Sequence, residues 1–149
     1  MIQYSRIHTN IIANLKKKHY NKKQLGGDFM NNEEKEKLIK LAKKYTYEPA
    51  SENFLDAIEK EMAKLVCSRL SDYKDKEVYA KFLYERKKYH EAIKKFNWIA
   101  HVKECKARVS YGLYKCYIMI EDYKSAYKSI IDYINERKND DILAGMGIL

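Results

Sequence analysis

The sequence predicts an all-α chain of stacked helical hairpins, and three observations point there. The first is scarce punctuation. Among 149 residues there are one proline and five glycines, too few turn signals for a β-sandwich or barrel. The second is internal repetition between Lys76 and Arg137. Tyr89-His90-Glu91-Ala92-Ile93-Lys94 aligns with Tyr123-Lys124-Ser125-Ala126-Tyr127-Lys128 at an offset of 34 residues, and Lys81 maps onto Lys115. The third is that apolar or aromatic residues recur at that same offset, as Tyr79/Leu113, Leu83/Tyr117, Phe96/Ile130 and Ile99/Tyr133. A small alanine lets two helices approach closely, and the tyrosine before it closes the turn between them. A single hairpin of this kind cannot bury its own apolar face, so stacked neighbours must supply the core.

Taken in order, residues 1–27 form a basic arm with six Lys or Arg side chains and no acid. Tyr4, Ile7, Ile11 and Leu15 make one helical stripe within it. Three readings stay open for residues 1–30: a mobile or loosely packed leader, an acid-poor targeting presequence, and a helix lying on an anionic membrane. The helical domain then covers 31–149. Asn31 or Asn32 is placed to cap a first helix whose opening turn carries Glu33, Glu34 and Glu36, with Leu38, Leu41, Ala42 and Tyr45 inward. Pro49 ends it, and Ser51 caps a second helix running to about Leu70 through Phe54, Ile58, Met62, Leu65 and Val66. This pair, 32–71, reads as a degenerate hairpin. Two clearer repeats follow at 74–103 and 106–138, with helices expected near 74–86, 89–103, 106–120 and 123–137. Lys87-Lys88 and Glu121-Asp122 are the turns within them. The apolar end from Ile142 to Leu149 is far shorter than the about 20 residues a membrane span requires, and reads as a short tail, a docked cap or the beginning of a longer anchor.

The net charge of +9 is concentrated in the arm, because the remaining residues hold 24 basic and 21 acidic side chains. A nearly neutral body argues against nucleic-acid binding by the domain, and leaves a nucleic-acid-binding protein that uses the basic arm as an alternative reading. Cys67, Cys105 and Cys116 are odd in number and lack ligand spacing. They read as small buried hydrophobes in a reducing, cytoplasmic compartment, with association at an organelle surface left open. No cofactor or metal is implied: His8, His19, His90 and His101 are scattered, and no phosphate-binding glycine motif occurs. Arg86 and His90 resemble a helical ribonuclease motif, but the spacing is one residue short and straddles a turn, so no catalytic role is assigned. The fourteen tyrosines are read mainly as core, with Tyr79, Tyr89, Tyr117, Tyr123 and Tyr133 at inward repeat positions.

Over roughly residues 74–138 the chain resembles the tetratricopeptide repeat superfamily, through the 34-residue period and its Tyr-x-x-Ala unit. It departs from that pattern in lacking the usual glycine before each turn and in carrying Glu104 where the family often has proline. The resemblance implies a right-handed α-α superhelix and a non-catalytic scaffold that holds a partner peptide or helix in a concave groove. Mapped residue by residue, the family's groove positions fall on Lys81 and Tyr84 in one repeat and on Arg108, Tyr111, Lys115, Ile118 and Met119 in the other. These cations and flexible apolar groups would suit a protein or peptide partner with an acidic or carboxylate end. Tyr79-Ala80, Asp122-Tyr123-Lys124-Ser125-Ala126 and the run Ala144-Gly145-Met146 also resemble a mitochondrial fission adaptor family. That likeness implies a tail-anchored alternative, although Cys116 stands where the family has glycine. Whether copies self-associate through the last helix stays open.

Overall fold

A computed structural model describes residues 30–145 of the chain. The arm read at residues 1–27, and the end of the tail at 146–149, lie outside the described residues. Among those described the secondary structure is helical, without a strand. In order the helices are α1 (Asn32–Tyr47), α2 (Glu52–Val66), α3 (Tyr73–Glu85), α4 (Tyr89–Trp98), a 3-10 turn (Lys103–Cys105), α5 (Lys106–Met119) and α6 (Tyr123–Gly145). The all-α class is therefore observed. The chain divides into two compact units, Met1–Phe82 and Leu83–Leu149.

In the first unit, local chemistry starts each helix. The Asn31 side chain accepts the Glu34 N–H at 2.8 Å, and Ser51 accepts the Phe54 N–H at 3.2 Å. At the head of α3, Asp72 and Asp75 cap reciprocally, each carboxylate taking the other residue's N–H at 3.1 Å. α1 and α2 pack on each other, with Tyr45 edge-on to Phe54 at 5.0 Å near their turn. Leu38, Ala42, Ile58, Met62 and Leu65 fill the space between, all essentially without solvent contact. α2 stops at Val66 rather than near Leu70. Cys67 and Ser68 turn back with bonds to the Lys64 and Leu65 carbonyls, and the Ser68 hydroxyl donates to Leu65 as well. Cys67 is consequently exposed, which corrects the expectation that all three cysteines are buried. Lys35 closes the unit: its Nζ donates to the Leu70 carbonyl at 2.6 Å and pairs with Asp75 Oδ2 at 2.9 Å.

In the second unit, two turns repeat each other bond for bond at the 34-residue offset. Lys88 N–H reaches the Leu83 carbonyl and Asp122 N–H the Tyr117 carbonyl, each at 3.0 Å. Lys87 to Tyr84 and Glu121 to Ile118 form the inner bonds. Between these bonds Lys87 and Glu121 sit in the left-handed region, with φ of 64° and 62°. This is the helix-ending motif in which glycine is usual, here built on charged residues. Because glycine relieves the left-handed penalty at both places, Lys87→Gly and Glu121→Gly should each raise the unfolding free energy by about 0.5–1 kcal/mol. Urea denaturation of the single variants checks this, and no gain in either would refute it.

Ala92 and Ala126 are buried, as are Phe96, Ile99, Val109, Leu113 and Cys116. Gly112, in the middle of α5, lies against the Phe96 ring so closely that a β-carbon there would sit 2.5 Å from Phe96 Cζ. α4 ends at Trp98, short of the expected 103. The backbone instead tightens into three-residue bonds, Ile99 to Phe96, Val102 to Ile99 and Cys105 to Val102. Burial of Ile99 and Cys105 holds that path, the Cys105 sulfur lying 3.6 Å from the Ile99 carbonyl oxygen. α6 runs past the expected 137 to Gly145, since nothing from Lys138 to Leu143 breaks a helix. The inward reading of the tyrosines needs correction at Tyr123, which is exposed at the first residue of α6. Tyr89, Tyr117 and Tyr133 are half-buried, and Tyr79 alone of that set is buried.

Candidate functional site

The residues assigned to a groove are distributed as follows. Arg108, Tyr111, Lys115, Ile118 and Met119 recur at three- and four-residue steps on α5, which puts them on one face. The opposite face carries the buried Val109, Gly112, Leu113 and Cys116. Tyr111, Ile118 and Met119 are among the exposed large hydrophobic side chains, and Arg108 is exposed as well. Tyr84, on the last turn of α3 within the second unit, joins this face through Lys115. The Lys115 Nζ lies 4.7 Å from the Tyr84 ring centre and 5.4 Å from the Tyr111 ring centre. Lys81 is engaged elsewhere: it belongs to the first unit, and its Nζ is 3.2 Å from Glu77 Oε2, one turn back on its own helix.

Three tyrosines outside the assigned set extend the aromatic surface. Tyr89 lies 5.5 Å from Tyr84, Tyr133 lies 5.2 Å from Tyr111, and Tyr114 lies 6.1 Å from Tyr111, all in tilted arrangements. Tyr89 and Tyr133 occupy repeat positions read as core. They are half-buried at its margin, so their rings serve both the hydrophobic interior and the outer cluster. An isolated glycine in a helical pattern was the one sequence signal for close packing beneath this face, and it stands at Gly112.

Burial shapes the ionisable groups here. The Tyr84 phenol is raised above its ordinary value, first by loss of hydration and then by the Glu85 carboxylate. The Cys116 thiol, beneath Lys115 on α5, is pushed up to about 12 by burial, against a smaller lowering from the Lys115 charge. The folded chain thus holds the Cys116 proton more tightly than the unfolded chain does. The stability gained from the neutral thiol is complete below its ordinary pKa of 9.0 and is lost as pH rises toward 12. At pH near 8 a thiol reagent should modify one cysteine per native chain, Cys67, with Cys105 and Cys116 following only on unfolding. Mass spectrometry of the labelled peptides checks this, and rapid native labelling of Cys116 would contradict it.

Chemically, the face can receive an anion and bury apolar side chains. Among the described residues no group of three His, Cys, Asp or Glu side chains is placed to hold a metal ion. Arg86 lies in the turn after α3 and His90 in the first turn of α4, on either side of the left-handed Lys87. No described helix is long and apolar enough to cross a membrane. No family model, no curated protein and no solved structure matches this chain.

Proposed function

We propose that the chain is a non-catalytic interaction scaffold, and that the outer face of α5 receives an extended or helical peptide bearing an acidic residue or a free carboxylate end. The observation that carries this reading is the position of Lys115. Its ammonium is flanked by the Tyr84 and Tyr111 rings, and among the described residues it has no carboxylate partner. Aromatic faces strip water from an ammonium without neutralising it, so an arriving carboxylate gains a charge-assisted hydrogen bond at reduced desolvation cost. Ile118 and Met119, one turn further along α5, offer an adaptable apolar surface to the neighbouring side chains of such a peptide. The matched turns support an arrangement like that of the tetratricopeptide repeats, and free cysteines fit a cytoplasmic setting.

A peptide array with free C-terminal carboxylates, duplicated as C-terminal amides, tests the proposal. Binding should favour the carboxylates and should fall at least about tenfold in Arg108→Glu/Lys115→Glu, with helicity unchanged. Lys81→Glu, whose native charge is already answered by Glu77, should change binding much less. Undiminished binding by the double variant would discard the groove, and equal binding of both peptide forms would assign the recognised charge to an acidic side chain rather than the chain end.

A further inference from the structure

We propose that two copies of this chain pair through the outer face of α6, as an antiparallel pair of helices related by a two-fold axis. α6 turns Ala126, Ser129, Tyr133 and Glu136 toward α5, where Glu136 Oε1 meets Lys106 Nζ at 3.3 Å. A different stripe of the same helix faces outward. It comprises Tyr123, Tyr127, Ile131, Ile134 and Ile142, each between 37% and 69% exposed. Steps of four, four, three and eight residues keep all five on one side, and Lys138 fills the gap before Ile142.

Two features of this stripe select a second copy as its occupant. The first is length. Lys106 is the first residue of α5, so α6 continues beyond it from Arg137 to Gly145 with every described side chain exposed. That extension contains Asn139, Asp140 and Asp141, poor helix formers, and so short a helical segment gains little stability without a neighbour.

The second feature is symmetry. About a point between Asp132 and Tyr133 the stripe reads alike in both directions. An antiparallel partner then sets Tyr123 opposite Ile142 and Ile131 opposite Ile134. It also sets Tyr127 opposite Lys138 and Lys124 opposite Asp141. Apolar side chains meet apolar ones, the lysine stem and ammonium lie on a tyrosine ring, and the outer pair is oppositely charged. The two-fold makes each contact twice. A parallel pair in register would instead oppose Lys124 to Lys124, Lys138 to Lys138 and Asp141 to Asp141. Charge complementarity therefore fixes the direction.

A contact of one helix per subunit is small, so the dissociation constant should fall at about 10–100 μM. Sedimentation velocity of the full chain under reducing conditions tests this. Wild type should shift from monomer to dimer across that range, and Ile131→Glu/Ile134→Glu should remain monomeric with unchanged circular dichroism. Lys124→Glu alone and Asp141→Lys alone should each weaken pairing about tenfold, because two attractions become two repulsions. An equimolar mixture of those two variants should regain wild-type affinity, since each supplies the charge that the other lacks. A change confined to one monomer's stability could not be rescued in that way. A monomeric wild type, a dimer indifferent to Ile131→Glu/Ile134→Glu, or a mixture that fails to recover overturns the proposal. So does a monomer that floats with phosphatidylglycerol vesicles and loses flotation in Ile131→Glu/Ile134→Glu, which would assign the face to a lipid surface.

Discussion

Replacing Gly112 with alanine is expected to destabilise the protein by about 1–2 kcal/mol, although alanine is ordinarily the better helix residue by about 1 kcal/mol. Two effects oppose each other at this position. Alanine lowers the conformational entropy of the unfolded chain, which favours the folded state. The added β-carbon, however, would lie 2.5 to 2.9 Å from three atoms of the Phe96 ring, well inside contact distance. Phe96 is fully buried and belongs to α4, so its ring cannot swing into solvent and the two helices must move apart. Overpacking a well-filled core costs about 1–3 kcal/mol, and this cost wins. The cause can be separated from general damage. Phe96→Leu alone should destabilise through a cavity. Combined with Gly112→Ala it should cost less than the sum of the two, with a coupling of about 1–2 kcal/mol. Urea unfolding of the four proteins gives the answer, and strictly additive losses would remove the contact as the explanation.

Loss of Lys35 should cost more, about 2–4 kcal/mol for Lys35→Ala. This one ammonium serves the Leu70 carbonyl at 2.6 Å and the Asp75 carboxylate at 2.9 Å, so it ties the first turn of α1 to the turn that follows α2 and to the head of α3. The side chain of Asp75 is 7% exposed and that of Lys35 19%, so salt screens the pair less than it would a surface pair. Alanine leaves a largely buried carboxylate without its cation and a carbonyl without its donor. Lys35→Met keeps the aliphatic stem and should recover part of the loss, which separates packing from charge. Asp75→Asn retains an oxygen for the Asp72 N–H and should cost less than Lys35→Ala. If Lys35→Met proves as stable as wild type, the ammonium contributes nothing and the clasp has no energetic role.

What could be read in the sequence was mostly local. A cap at Asn31 or Asn32, which proved to be Asn31, and one at Ser51 were recognisable because a cap needs one side chain and an N–H three residues away. The turns at Lys87-Lys88 and Glu121-Asp122 were recognisable through the repeat. The places where helices stop were harder. Nothing between Trp98 and Val102 announces an end. The chain leaves α4 there because Ile99 and Cys105 are both buried, a long-range demand invisible to a helical pattern. Of the candidate site, Tyr84 and the α5 residues alike came from the resemblance, and the helix then sets the α5 residues on one face. That Lys115 would stand between two rings depended on how α3 and α5 bring their side chains together within the second unit. The roles of Tyr89 and Tyr133 were missed for the same reason, since apolar periodicity cannot distinguish the centre of a core from its edge.

The two matched turns carry a consequence for how such a chain can change over time. Each joint is held by main-chain N–H and carbonyl groups, so what Lys87 and Glu121 must supply is a left-handed φ rather than a particular side chain. Such a hinge fixes a backbone angle more strictly than a side-chain identity, so exchanges that keep a left-handed φ leave the joint itself intact.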